Sequence, residues 1–406
     1  MPLYFNISIA LVLFMGLASG GLLALTLMAD RKQQTSFSIM LALALLLALA
    51  GAISSTGLMR NLASGLTNAL VLLVLSFSLG YTLTAHSVLT PARRRPQISP
   101  PEETGQGHRT AVILLTRGEP EHYSVESAAR RLELADDRGD VPPIPLRPFY
   151  MRDLKGKYAA TGPSPYRNHQ LRLAEKVQAR LDSNHRVTAA FYSDTPELAY
   201  EVAQAIGSGA KHVVIVHVLV ADPPDPVMSG EVMEGLSPES YGVRITEVGP
   251  FWLSSLLPQI YVRRMLEAVP QDDSQSDTIG ILLVGRGHGT SSASAAARQE
   301  QEVSFQGRVI EALVRTGWSE KKIATGWLRA RPGVDEAFAH LVATGCKSVY
   351  WLPTTFPADG INTLYDIPAQ IEVPAREAGI RIQSLQAWNA DDLAAEEIAN
   401  HVTRSA

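Results

Sequence analysis

The sequence predicts an α/β protein of two doubly wound, Rossmann-like lobes preceded by three transmembrane α-helices. Three observations predict it. Residues 1–90 are almost free of charge, whereas the rest has the charge density of a globular domain. Beyond residue 108, short apolar runs alternate with amphipathic stretches, the pattern of parallel strands joined by crossover helices. That alternation occurs in two successive blocks, which implies two lobes. The predicted organisation is an anchor over residues 1–90, a Pro/Arg-rich linker over 91–108, a first lobe over 109–272 and a second over 273–406.

The anchor follows from length and polarity. Asn6 to Ala29 and Phe37 to Met59 carry no charge, and Leu62 to His86 has only His86 at its end. A helix needs about 20 apolar residues to cross the hydrocarbon core, and all three runs have them. A secretory signal is one short apolar core behind a basic start, which three long runs are not. Arg31 and Lys32 follow the first run, Arg93, Arg94 and Arg95 follow the third, and only Arg60 separates the second from the third. The positive-inside rule then places the N-terminus outside and the α/β domain in the cytoplasm, on a bacterial-type inner membrane. With no Asp, Glu, Lys or Arg inside a span, transport is not their role. Gly16 and Gly20 form a GxxxG that brings backbones close, either among the three helices or against a partner protein or second copy.

Pro91 to His108 holds four prolines and nothing that buries a core; its basic start suits anionic headgroups. Strands are predicted at Thr110–Leu115, Arg186–Tyr192, His212–Val220 and Ile245–Val248 in the first lobe. In the second they are predicted at Thr278–Val284, Ile323–Leu328, Ser348–Pro353 and Arg381–Leu385. Helices are predicted at Asn168–Leu181, Glu197–Ile206, Leu253–Ala268, Gln301–Thr316, Val334–Thr344 and Thr363–Ala378. In such folds ligands bind beyond the carboxyl ends of the strands, here between the lobes.

Composition excludes several classes. The net charge is −4, and Lys and Arg do not cluster with aromatics, so no nucleic-acid partner is expected. The single cysteine, Cys346, excludes an intrachain disulfide, a CxxC metal site and an all-cysteine iron–sulfur cluster. Cys346 reads as a small residue near a strand start.

The strongest local feature is Ile281-Leu-Leu-Val-Gly-Arg-Gly-His-Gly-Thr, a hydrophobic strand running into glycines that frame His288. Histidine at a strand's carboxyl end, with space around it, accepts a proton or binds a metal near neutral pH. Gly285 and Gly287 also fit the start of a GxGxxG phosphate loop, but Thr290 stands at its third glycine.

Four segments in order resemble the ferrochelatase family, class II metal chelatases of tetrapyrrole synthesis, over roughly residues 108–395. Val112-Ile-Leu-Leu-Thr-Arg-Gly-Glu-Pro is similar to the family's opening strand and Gly-x-Pro turn. Lys157-Tyr-Ala-Ala-Thr-Gly-Pro-Ser-Pro resembles Tyr-x-x-Ile-Gly-Gly-x-Ser-Pro. His288 falls at the Ser-Ala-His histidine, and Phe356-Pro-Ala-Asp-Gly-Ile-Asn-Thr-Leu-Tyr-Asp resembles Phe-Val-Ser-Asp-His-x-Glu-Thr-Leu-Tyr-Glu. Asn389 sits where the family often has a C-terminal asparagine. The resemblance implies a chelatase-like fold and insertion of a divalent metal, Fe²⁺, into a porphyrin for heme synthesis. Both are substrates; no tightly bound cofactor is implied. His288 is then the base, His288 and Asp366 handle the metal, and Arg117, Tyr158, Ser164 and Pro165 bind the tetrapyrrole.

The departures concentrate around the site. Asn362 replaces the family glutamate, and an amide takes no proton at neutral pH. Asp366 and Gln370 stand where further acids are expected, Gly360 replaces a histidine, and Arg117 replaces a frequent tyrosine. The Asp-Pro-Tyr segment after the histidine and the aromatic turn near Val220 are missing. Two functions follow from this. One is a membrane-tethered chelatase with Asp366, Asp359 or Glu372 supplying the lost carboxylate. The other is a degenerate homologue that binds a tetrapyrrole or serves as scaffold in a membrane complex. Cobalt or nickel chelation is a third.

Overall fold

A computed structural model describes residues 2–56, 62–89, 110–136, 142–223, 238–269, 276–288 and 292–405. The linker at 91–108, the basic cluster Arg93–Arg95, Arg60, Gly289 and Thr290 lie outside the described residues. The chain divides into two compact units, Met1–Arg94 with His122–Ala160, and Arg95–Glu121 with Thr161–Ala406.

In the first unit, helices α1 (Pro2–Met28), α2 (Arg31–Thr56) and α3 (Leu62–Leu89) follow the three apolar runs. Each is long and apolar enough to cross a membrane. The glycines of α1 face α3. A methyl group on Gly20 would lie 1.9 Å from the Phe77 carbonyl oxygen, and one on Gly80 would lie 2.0 Å from that of Leu17. Of the two readings of the GxxxG, this places it in a seam between helices of the same chain. Leu43, Leu46 and Ile53 on α2, and Val74, Leu75 and Leu83 on α3, point outward.

Helices α4 (Val125–Asp136) and α5 (Arg147–Thr161) stand where the sequence pattern predicts none. The face of α5 that carries Met151, Leu154 and Tyr158 is buried. Polar contacts tie this segment to the apolar helices. The Tyr123 hydroxyl donates to the Met28 carbonyl at 2.6 Å, and Tyr81 to that of Pro145 at 2.8 Å. Lys155 Nζ donates to the Ala29 carbonyl at 2.9 Å and to Gln34 Oε1 at 3.1 Å. These are helix-end carbonyls and short connections, so the bonds satisfy groups that the helices leave open. Burial and the nearby Asp30 push the Tyr123 phenol well up, which keeps it a donor.

The second unit holds two parallel four-stranded sheets of the same topology. The first comprises β1 (Thr110–Thr116), β2 (His185–Phe191), β3 (His212–His217) and β4 (Arg244–Val248), ordered β2-β1-β3-β4. The second comprises β5 (Ile279–Gly285), β6 (Ile323–Trp327), β7 (Ser348–Pro353) and β8 (Arg381–Ser384), ordered β6-β5-β7-β8. Helices α6 (Tyr166–Gln178), α7 (Leu198–Gly207) and α8 (Leu257–Ala268) accompany the first sheet in sequence. Helices α9 (Ala293–Arg315), α10 (Val334–Ala343), α11 (Ile367–Ala378) and α12 (Asp392–Ser405) accompany the second.

Side-chain alternation assigns each strand face. Val112 and Leu114 of β1, with Ile281 and Leu283 of β5, enter one shared core with Tyr261, Phe305 and Trp388. Ile113 and Leu115 turn the other way onto α7, and Leu282 and Val284 onto α10 and α11. A sheet buried on both faces needs such continuous apolar strands. The strands match the predicted positions within a few residues, except that β3 stops at His217. Helix α9 begins at Ala293, eight residues before the predicted start, because Ser292 caps it by accepting from Ala295 N at 3.2 Å. Helix α12 is another element the pattern does not predict.

Candidate functional site

The carboxyl ends of β1 and β5 carry matching turns. After β5, Gly287 adopts φ +74°, a conformation that favours glycine, and His288 follows. Gly285 also needs to be glycine: a methyl group there would lie 2.1 Å from the Trp327 ring. The turn is held by residues that follow it in the chain. Arg286 N donates to Thr355 Oγ1 at 2.8 Å, Gly287 N to Glu302 Oε2 at 2.9 Å, and His288 N to Gln299 Oε1 at 2.8 Å.

The imidazole of His288 sits between Arg298 and Glu302. Arg298 Nε lies 3.5 Å from Nδ1, and Glu302 Oε1 lies 3.3 Å from Nε2. Nε2 is buried and makes no hydrogen bond, so the carboxylate is within charge range but off the bonding direction. A guanidinium only donates, so its position assigns the lone pair to Nδ1 and the neutral-form proton to Nε2, facing Glu302. An imidazole so placed can take a second proton at Nδ1, with the carboxylate opposite it stabilising the resulting cation.

Glu302 and Arg298 escape the motif reading, yet a signal for them exists. They lie on the buried face of α9 with Ala295, Phe305, Gln306 and Val309, at helical spacing. Charged residues on an otherwise apolar face mark a functional or structural polar cluster.

The other sequence-predicted residues are dispersed. Asn362 and Asp366 bound a π-helical turn, Asn362–Asp366, in which Ile367 N donates to the Asn362 carbonyl. Both are partly exposed. Such turns are rare and recur at functional sites. Asp359 is buried and engaged: Oδ2 accepts from Asn389 Nδ2 at 2.7 Å and Oδ1 from Ala387 N at 3.1 Å. Asp359 N in turn donates to Asn389 Oδ1 at 2.8 Å. Asn389 adopts φ +57°, and the pair clamps the loop before α12. Glu372 is exposed on α11.

Around the β1 turn, Ser164 is buried and donates to Glu119 Oε1, and Pro165 caps α6. The Arg117 carbonyl accepts from Ser193 N at 2.9 Å and Ser193 Oγ at 2.8 Å. Tyr158 belongs to the first unit, where its ring stands edge-on to Tyr123 at 6.3 Å. Among the described residues, no three His, Cys, Asp or Glu side chains converge into a ready metal cage.

Residues 109–406 match the protein-family model described as Ferrochelatase. No curated protein matches the chain. Among solved structures, SirB from Bacillus subtilis with Fe³⁺ is 13% identical with a TM-score of 0.46, over 73% of this chain and 96% of that one. The sirohydrochlorin chelatase SirB from Bacillus subtilis subspecies spizizenii, in complex with cobalt, is 11% identical with a TM-score of 0.44, over 73% and 95%. CbiX, titled the terminal enzyme for biosynthesis of siroheme in denitrifying bacteria, is 12% identical with a TM-score of 0.41, over 73% and 99%.

Proposed function

The chain belongs to the ferrochelatase family, and from that membership we propose that it is a membrane-tethered chelatase inserting Fe²⁺ into a porphyrin. The observation that carries the reading is His288 at the carboxyl end of β5, set between Arg298 and Glu302. Insertion of a divalent metal releases two protons from the pyrrole nitrogens. His288 Nδ1 accepts them one at a time, passing the first to solvent and returning to the neutral imidazole before it takes the second. Its contact with Arg298 is long enough at 3.5 Å for a pyrrole N–H to displace it. As the proton arrives, Glu302 faces the imidazolium at Nε2. The metal approaches as substrate, and Asp366 on the π-turn is the residue proposed to receive it with His288. Arg117, Ser164 and Pro165 contribute to tetrapyrrole binding. The three apolar helices hold the domain on the cytoplasmic face with the N-terminus outside, alone, as a homo-oligomer or in a membrane complex.

A second reading rests on Asn362 and on the missing three-donor cage among the described residues: a homologue that binds a tetrapyrrole without metalating it. One assay separates them. The purified full-length chain is mixed with protoporphyrin or coproporphyrin and Zn²⁺ or anaerobic Fe²⁺, and metalation is followed by absorbance. Turnover above the uncatalysed rate, lost in His288→Ala, supports the chelatase. Folded protein that binds porphyrin without metalating it supports the second reading.

A further inference from the structure

We infer, resting on the chelatase reading, that Glu119 is a positioning residue that sets the π-turn bearing Asn362 and Asp366. Strand β1 ends at Thr116, and Gly118 turns the chain at φ +78°. A methyl group at Gly118 would meet Asp194 Cβ at 2.9 Å, so the turn is tight and Glu119 is aimed by it. Glu119 is buried, and its Oε1 accepts from two donors, Ser164 Oγ and Ile361 N, the latter at 2.8 Å. Ile361 is the residue immediately before the π-turn. One carboxylate oxygen thus ties the first lobe's strand-end turn to the second lobe's π-turn.

Gly360 is the complement of this tie. A methyl group there would lie 2.5 Å from Glu119 Oε1 and 3.0 Å from its Cδ. The side-chain space that a histidine would need at position 360 is the space the Glu119 carboxylate occupies. The tie also has local support: Gly360 N donates to Thr363 Oγ1 at 3.0 Å, and the Gly360 carbonyl accepts from Leu364 N at 2.8 Å. Glu119 therefore holds the amide that the turn's own ladder leaves open. Its role is geometric: an acceptor oxygen at the end of a two-methylene stem.

That role separates charge from reach. Glu119→Gln keeps an acceptor oxygen at the same distance and loses the charge. Glu119→Asp keeps the charge and falls one methylene short. Gly360→Ala leaves Glu119 intact and fills its seat. Two readouts are taken on the full-length chain: zinc insertion into protoporphyrin, and hydrogen exchange of the peptide spanning Asp359 to Ile367. Misplacing a group by about 1 Å costs up to about 100-fold in rate, so Glu119→Asp is expected to lower kcat by at least about tenfold with KM little changed. Its Ile361–Asp366 amides exchange at least about tenfold faster. Glu119→Gln stays within about twofold of wild type on both readouts, because the oxygen remains in reach. Gly360→Ala follows Glu119→Asp where it folds; the Gln and Asp pair decides without it. Glu119→Asp matching wild type on both readouts overturns the inference. So does Glu119→Gln losing turnover with exchange unchanged, since charge would then be what matters. Wild-type protein that metalates no porphyrin defeats the chelatase reading alone; the exchange pattern still tests the tie.

Discussion

Glu302→Ala tests whether the carboxylate beside His288 acts on the chemistry or only on the fold. The side chain is buried, with Oε2 on Gly287 N at 2.9 Å and Oε1 at 3.3 Å from His288 Nε2. Truncation strands the Gly287 amide, a loss of about 1–3 kcal/mol. For a domain of this size that corresponds to a fall in Tm of about 2–10 °C. The charge term is separate. Two unit charges 3.3 Å apart attract by about 5 kcal/mol at an effective dielectric near 20, a gross figure that desolvation reduces. On the reading that His288 is the proton acceptor, this attraction acts on the imidazolium formed during the reaction and so lowers the barrier. A residual of about 3 kcal/mol is roughly 100-fold in rate. Glu302→Ala should therefore lower kcat about 100-fold and lower Tm. Glu302→Gln keeps an acceptor for Gly287 N and should recover most of the Tm while kcat stays low. Zinc insertion and thermal melting, run on the same preparations, read both. Wild-type kcat in Glu302→Gln would refute the electrostatic role and leave Glu302 a structural acceptor.

Two further outcomes follow from elements away from the site. Gly20→Ala puts a methyl group 1.9 Å from the Phe77 carbonyl oxygen, so α1 and α3 must separate at a cost of about 1–3 kcal/mol. Thermal aggregation in detergent should begin earlier than in the outward-facing control Leu46→Ala, and equal onsets would place the seam elsewhere. Burial holds His169 and His212 below the ordinary imidazole value, opposed at His169 by Asp359 and reinforced by Arg172 and Arg264, and reinforced at His212 by Arg244 and His185. The unfolded chain then protonates first, so their contribution is present above about pH 6.5 and is lost as pH falls through the lower folded values. His212→Asn should show a shallower fall in Tm between pH 7.5 and 5.5 than wild type; parallel curves would remove His212 from the linkage.

The legible part of the fold is the part built from strong periodicity. Strands β1, β3, β5 and β7 are short, largely apolar runs, β4 and β8 are short and half polar, and α1 to α3 are long apolar runs with charge only at the start of α2. Helix α12 is harder to read because its buried face is largely alanine, Ala394, Ala395 and Ala399, with only Ile398 and Val402 to mark a stripe. The start of α9 is obscured the same way by Ala293-Ser-Ala-Ala-Ala, and with it the helical placement of Arg298. Helix α5 opens on Arg147-Pro148 and contains Gly156, which weakens the helical signal. At the site, His288 is legible because glycines frame it. Glu119 is not, because its partner amide on Ile361 lies 242 residues away and nothing local marks a carboxylate that crosses between lobes.

The two lobes use one backbone design and diverge at the side chain it presents. Thr116-Arg-Gly-Glu119 after β1 and Gly285-Arg-Gly-His288 after β5 share a glycine at φ +78° and +74°. Their arginine carbonyls accept equivalent bonds, from Ser193 N at 2.9 Å and Arg329 N at 3.0 Å. The preceding residues accept likewise from Tyr192 N and Leu328 N. The same turn therefore delivers a side chain to the same relative position in each lobe. In the first lobe that side chain is bonded to Ser164 and Ile361, both within the protein. In the second it keeps a buried Nε2 without a hydrogen bond and an Nδ1 at the limit of one. A buried polar atom left without a bond is disfavoured unless the arrangement serves something else. Satisfaction at Glu119 and its absence at His288 are thus what separate the two turns, and they are what the proposed roles of brace and base rest on.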